Sequence, residues 1–248
     1  MCYNVSTKKI SKETEKQFKS KIDKSIVLPS HYYLSGFTHP LVPVISAKQP
    51  DLITAFNWGL IPDFCKTEKE AKDMQAKTLN AKSETVFTLP SFKNSIREKR
   101  CLVLVDGFYE WRTIGKQKYP YFIHYKNAEV FAMGGIYNDW LNKETGKVES
   151  TFSIITTPAN AIMSKIHNEK LRMPFILPIG LERHWLNSNL NDNEIIELMQ
   201  PLPDGQLMTH TISKLITNKN KNPDTAEVQL QFEYPELEFF DSLYQMDL

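Results

Sequence analysis

A chain of 248 residues with 41% apolar side chains is long enough to bury a full core in one large domain, with no disulfide or metal staple required. A formal net charge of +1 excludes a nucleic-acid binder that relies on a large basic excess, so any such contact must come from a local patch. The longest apolar runs, Cys101 to Val105 and Phe131 to Met133, are too short to cross a bilayer, and the first residues lack a basic-then-apolar signal pattern. A soluble, cytoplasmic protein is expected.

Ser11 to Asp23 spaces Phe18 and Ile22 among charges, which predicts a surface helix capped by Ser11. Leu41 to Ile45 and Leu52 to Trp58 are β-branched and aromatic stretches broken by proline, and read as strands. Thr67 to Gln75, and Ser91 to Lys99 behind Pro90, return to helical composition. Three strand-like runs follow at Arg100 to Trp111, Tyr119 to Tyr125 and Val130 to Tyr137, for which a meander is the simplest connection. Thr151 to Thr156 is a further strand, and Pro158 to Lys165, Leu181 to Leu186 and Asn193 to Met199 are helices. Without βαβ alternation or an internal repeat, this order predicts a single α+β domain round a curved, mainly antiparallel, barrel-like sheet with peripheral helices. The domain is expected to span residues 1–232. Residues 233–248 form a tail with five acids, no basic residue, and Phe239, Phe240 and Tyr244, suited either to a partner or to docking on its own domain.

Three cysteines, Cys2, Cys65 and Cys101, are odd in number and widely spaced with no C-x-x-C pair, which argues against disulfides or a zinc site. Cys65 and Cys101 read as packing residues. Cys2 is different because it follows the initiator methionine, and a small second residue generally permits methionine removal. Loss of Met1 would leave an amine and a thiol on one residue, with reference pKa values of about 7.7–8.0 and about 8.5. Aldehydes are the matched electrophile, since imine formation by the amine lets the thiol close a five-membered thiazolidine intramolecularly. A buried structural cysteine is the competing reading.

Glu110 sits inside the aromatic strand Gly107-Phe108-Tyr109-Glu110-Trp111. In an apolar cleft its pKa would rise enough for proton transfer near pH 7; paired with Arg112 or facing solvent, it would do nothing of the kind. His167 is one of six histidines and reads either as a proton shuttle or as a hydrogen-bonded surface residue. Asn80 suits a residue orienting a nucleophile or a helix cap, and Trp58 suits a base-stacking surface or the core. Basic candidates for a nucleic-acid patch are Lys66, Lys69 and Lys72 before Asn80, and Lys93, Arg97, Lys99 and Arg100 after it, with solvated helix faces as the alternative.

Taken together and in order, Met1-Cys2, Trp58-Gly59-Leu60-Ile61-Pro62, Asn80-Ala81-Lys82-Ser83-Glu84-Thr85, Gly107-Phe108-Tyr109-Glu110-Trp111, and His167 with Arg172-Met173-Pro174 resemble the SOS response-associated peptidase family. The likeness runs from residue 2 to about residue 232. It implies abasic-site processing, through a thiazolidine crosslink between Cys2 and the ring-opened sugar of an abasic site in single-stranded DNA. By the same resemblance Asn80 holds the nucleophile, Glu110 is the acid and base, His167 assists ring chemistry and release, and Lys82, Trp58 and Arg172 contact DNA. Neither metal nor organic cofactor is called for, and a monomer is expected. Asn4 and Lys82 stand where the family usually has arginine, and the stretch Asn168 to Leu171 is longer than in many members. An N-terminal nucleophile amidohydrolase and a non-covalent binder of damaged single strands are the rival classes.

Overall fold

The computed structural model describes residues 2–237. In chain order the strands are β1 (Asn4–Ser6), β2 (Lys21–Ile22), β3 (Leu34–Ser35), β4 (Leu41–Ser46), β5 (Gln49–Trp58), β6 (Asn80–Lys82), β7 (Arg100–Val105), β8 (Gly107–Ile114), β9 (Gln117–Tyr125), β10 (Phe131–Leu141), β11 (Val148–Pro158), β12 (Arg172–Pro174) and β13 (Leu207–Thr211). Helices are short: α1 (Lys12–Phe18), α2 (Glu68–Gln75), α3 (Ser95–Glu98), α4 (Ala161–Ile166), α5 (Glu182–Trp185) and α6 (Asp192–Leu198).

Strands β11, β10, β7, β4 and β5 pair in that order, and a parallel register of Thr151 with Asn57 and Phe152 with Trp58 joins β5 back to β11. The sheet therefore closes into a five-stranded barrel, which leaves no free edge along the closed path. Both faces of its strands are covered, which is why Cys101 to Val105 is a continuous apolar run rather than an alternating one. Val42, Val44, Val103, Val105 and Met133 join the cluster that holds Cys2, while Ile45, Leu102, Leu104, Ala132 and Ile136 pack with Trp185 and Ile195 of α5 and α6. A second sheet, ordered β13-β9-β8-β1-β3, lies beside the barrel and carries the start of the chain.

Of the connections between the two sheets, β7 to β8 is a direct strand-to-strand crossing. The predicted run Arg100 to Trp111 is two strands, because at Asp106 the chain leaves its partners β10 and β4 and takes up β1 and β9. Asp106 fixes that crossing: its N–H donates to the Ser6 carbonyl at 3.0 Å, and its Oδ2 accepts the Lys9 N–H at 2.7 Å. The expected meander is accordingly confined to the β8–β9 hairpin, since β10 returns to β7. Gly107 follows the crossing, and a methyl group there would overlap the Phe122 ring, so only glycine allows β8 to close on β9.

Other boundaries shift for local reasons. The helix predicted to Asp23 stops at Phe18, where Lys19 turns left-handed with φ 52°, and Lys21–Ile22 instead pairs with Leu52–Ile53. Of Ser91 to Lys99 only Ser95–Glu98 is helical, and Pro158 remains in β11 so that α4 begins at Ala161 behind its cap Asn160. The start of the tail docks on its own domain: Tyr234 donates its hydroxyl to the Ile212 carbonyl at 2.9 Å and packs edge-on against Tyr119. Phe239, Phe240 and Tyr244 lie outside the described residues. No helix among the described residues is long and apolar enough to cross a membrane.

Candidate functional site

Cys2 is fully buried at the head of β1, in a cluster with Val5, Trp58 and Phe152. Burial pushes its thiol pKa far above the ordinary value, and the nearby Glu110 carboxyl adds to the shift. Its Sγ lies 4.0 Å from the Asn4 carbonyl, and its own carbonyl accepts a hydrogen bond of 2.8 Å from Asn80 Nδ2. Residues 78 positions apart are thus joined because β6 runs parallel to β11, with Asn80 opposite Ile154. The other amide atom, Asn80 Oδ1, is buried without a hydrogen-bond partner among the described residues.

Glu110 is buried in β8, and burial lifts its pKa from the ordinary 4.5 to about 8. The folded protein therefore keeps this proton up to about pH 8, whereas an unfolded chain releases it near 4.5. Stability contributed by the neutral carboxyl is complete below 4.5 and is lost as the pH rises towards 8. Glu110→Gln, which cannot ionise, should gain melting temperature relative to the native chain on going from pH 4.5 to 8.5. A constant difference across that range in scanning calorimetry would contradict the carboxyl's elevated pKa.

His167 caps the end of α4, and its Nδ1 lies 2.8 Å from the Arg172 carbonyl. A carbonyl only accepts, so Nδ1 carries the hydrogen. Burial lowers the imidazole's pKa, leaving the ring neutral with its Nε2 lone pair 3.8 Å from Glu110 Oε2. The following loop is pinned to β8 by Asn168, whose Oδ1 accepts the Thr113 N–H at 3.0 Å and whose Nδ2 donates to the Thr113 carbonyl at 2.7 Å. Cys2, Asn80, Glu110 and His167 therefore converge, although they come from four separate elements.

An open cleft of about 390 Å³ leads to this cluster, walled by Tyr3, Asn4, Glu110, Trp111, Thr113, Lys118, His167, Glu169, Lys170 and Thr217. The residues expected to touch DNA are arranged otherwise. Trp58 is fully buried, stacks on Phe152, and donates its indole N–H to the Leu79 carbonyl at 2.8 Å. It offers no ring face to a base and instead fixes the residue before Asn80. Arg172 is committed too, with both terminal nitrogens on the Glu84 carboxylate and Nη2 also 2.6 Å from the Thr156 carbonyl. Lys82 is exposed but is not part of the cleft wall.

Part of the basic runs resolves into structural contacts, while Lys66, Lys69 and Lys93 are exposed. Arg100 is buried and donates to the carbonyls of Ile96, Arg97, Trp185 and Asn187, Arg97 pairs with Asp192, and Lys72 pairs with Glu68. The cations that do line the cleft are Lys118 and Lys170, neither of which stood out in the sequence. Lys118 extends from the β8–β9 hairpin and Lys170 from the long loop after His167; hairpin register and loop length were the available signals. Glu169 holds Lys118 at 3.6 Å.

Fold and site together define an α+β protein in which a closed barrel and a flanking sheet gather a cysteine, a carboxyl and an imidazole under one cleft. The chain belongs to the SOS response associated peptidase (SRAP) family, whose model matches residues 1–219. It is 34% identical over 190 residues to the abasic site processing protein YoqW of Bacillus subtilis (strain 168), covering 75% of this chain and 81% of that protein. Similarity to the abasic site processing protein HMCES of Gallus gallus is 32% over 190 residues, covering 67% of this chain and about half (54%) of that longer protein. A crystal structure of a protein from Bacteroides thetaiotaomicron superposes with a TM-score of 0.87 at 35% identity, covering 94% of this chain and all of that one.

Proposed function

We propose that this protein processes abasic sites in single-stranded DNA by capturing the sugar aldehyde on Cys2 as a thiazolidine, once Met1 has been removed. The observation that carries this reading is the convergence on Cys2 of Asn80 and of the Glu110–His167 pair beneath an open cleft. The names of the relatives, which are abasic site processing proteins, support it. A buried thiol with a raised pKa is a poor first nucleophile, so the α-amine attacks the aldehyde carbon. Neutral Glu110 protonates the carbinolamine hydroxyl, which leaves as water and gives an iminium ion. The Glu110 carboxylate then takes the thiol proton while sulfur bonds to the iminium carbon. One water is released, and Glu110 ends protonated as it began.

Asn80 fixes the Cys2 carbonyl, and with it the direction of the amine and thiol. Strand phosphates run past Lys118 and Lys170 rather than Arg172. The decisive experiment incubates the protein with an abasic single strand and resolves the mixture under denaturing conditions beside an intact-base control. A shifted, denaturation-resistant band is expected only with the abasic strand. Its absence overturns covalent capture in favour of non-covalent binding.

Two further outcomes test parts of this reading. A residue that cannot be removed, placed ahead of Cys2, should eliminate the adduct although the thiol is intact, because the amine is then an amide. Mass spectrometry should find Met1 absent from active protein; normal yield from the extended chain would contradict the aminothiol route. Reversing both rim charges, Lys118→Glu with Lys170→Glu, should raise the half-saturating DNA concentration by about tenfold or more at low salt. The salt dependence should flatten, by a slope of about 0.7 per lost phosphate contact. Unaltered salt dependence would place the strand elsewhere.

A further inference from the structure

The family match ends at residue 219, yet the chain beyond it turns back to the strand that carries Cys2. Asp224 Oδ1 accepts two successive backbone N–H groups, Tyr32 at 2.7 Å and Tyr33 at 3.2 Å, while Oδ2 pairs with His31 Nδ1 at 2.6 Å. Gln229 Nε2 donates to Ser6 Oγ at 2.9 Å and to the Tyr109 hydroxyl at 3.3 Å, and that hydroxyl donates to the Tyr32 carbonyl. Between them Val228 is fully buried against Tyr109, Phe122, Ile212 and Ile216. The segment thus grips the nucleophile strand at Ser6 and both of its flanks, the 31–33 stretch that leads into β3 and Tyr109 on β8.

That stretch reaches the cleft directly. The Tyr33 hydroxyl donates to Asn4 Oδ1 at 2.8 Å, and Gly36 N–H donates to the Tyr3 carbonyl at 2.7 Å. Asn4 lines the cleft, and its carbonyl lies 4.0 Å from the Cys2 sulfur. A continuous set of hydrogen bonds therefore runs from Asp224 through Tyr32 and Tyr33 to Asn4 and Cys2. Three-residue β1 has too few ladder bonds to hold its position alone, pairing with β3 and β8 at two residues each.

We infer that residues 224–229 are a strap that sets the position of the Cys2 strand, with Asp224, Gln229 and Tyr33 as positioning residues. The strap is a mechanical feature of the fold; its effect on rate rests on the covalent reading above. Two measurements on the full-length chain keep these apart. Asp224→Ala removes the acceptor of both backbone N–H groups, whereas Asp224→Asn keeps Oδ1 in place for them. Hydrogen exchange in residues 2–7 should rise by about tenfold or more in Asp224→Ala, while exchange in 100–105 stays at the native level and Asp224→Asn resembles the native chain. In single-turnover capture the maximal rate of Asp224→Ala should fall about tenfold, with half-saturation unchanged, and Asp224→Asn should restore it. Tyr33→Phe, which deletes one hydroxyl, should slow the maximal rate in the same direction.

Unchanged exchange in residues 2–7 overturns the strap, as does an equal rise throughout the chain, which would mean general loss of stability. Failure of Asp224→Asn to the same degree as Asp224→Ala also overturns it, since the acceptor would then be irrelevant. A maximal rate that stays native while exchange rises removes the positioning role. If the native chain forms no adduct at all, covalent capture falls, and the exchange data still decide whether the strap holds β1.

Discussion

Cys2→Ala should form no denaturation-resistant adduct with an abasic strand, and Cys2→Ser should form none that survives the gel. Alanine retains the α-amine, so an imine still forms, but nothing closes on it and water reverses the step. Serine closes at best an oxygen ring, which hydrolyses far more readily than the sulfur ring. Neither loss can be assigned to thiol chemistry elsewhere without a control, and the other two cysteines supply it. Cys101 is fully buried with its pKa pushed up by desolvation, and Cys65 is buried with Sγ 3.8 Å from the Glu70 carbonyl. Neither thiol stands beside an α-amine, so neither can close a ring on an imine formed by its own residue. Cys65→Ser and Cys101→Ser should therefore crosslink at the native yield once corrected for any fall in folded fraction, measured by circular dichroism. Full crosslinking by Cys2→Ala would sink the assignment. So would failure of both control variants with the fold preserved.

The strands of the barrel were legible because each carries its own signal: β-branched density, two-sided burial and turns at the ends. The four converging residues were legible only as members of separate motifs. Nothing in the sequence placed Asn80 against Cys2, since that contact depends on β6 joining β11 in parallel. The surroundings of the residues expected to contact DNA were hidden for the same reason. Arg172 looks like a free cation until Glu84, 88 positions away, is brought onto it by the β6–β11–β12 pairing. Trp58 looks like a platform until closure of β5 on β11 buries it against Phe152. Asp106 gives no sign of a crossing, because a strand that changes sheets keeps the same apolar composition on both sides of the change. Local pattern reports how a residue prefers to fold, and these features follow from which strand meets which.

His167→Ala should separate adduct formation from release. In the resting site His167 is neutral with its hydrogen on Nδ1, so Nε2 is a base facing the protonated Glu110 carboxyl at 3.8 Å. A proton passed from Glu110 to Nε2 turns the imidazole into an acid. When the thiazolidine reopens, the ring nitrogen's lone pair expels sulfur, and that acid protonates the departing thiolate. Loss of such help typically costs about 10²–10⁴-fold in rate. His167 speeds ring closure as much as ring opening, but capture is limited by the earlier dehydration of the carbinolamine, for which Glu110 is the acid. His167→Ala should therefore form adduct, while its labelled adduct exchanges with an excess of unlabelled abasic strand about 10²-fold more slowly than the native one, or not at all over hours. Glu110→Gln should show the opposite emphasis, with slow formation at every DNA concentration, because dehydration of the carbinolamine loses its acid. Exchange of the His167→Ala adduct at the native rate would remove His167 from release. Its hydrogen bond to the Arg172 carbonyl would then be left as a purely structural tie between α4 and β12.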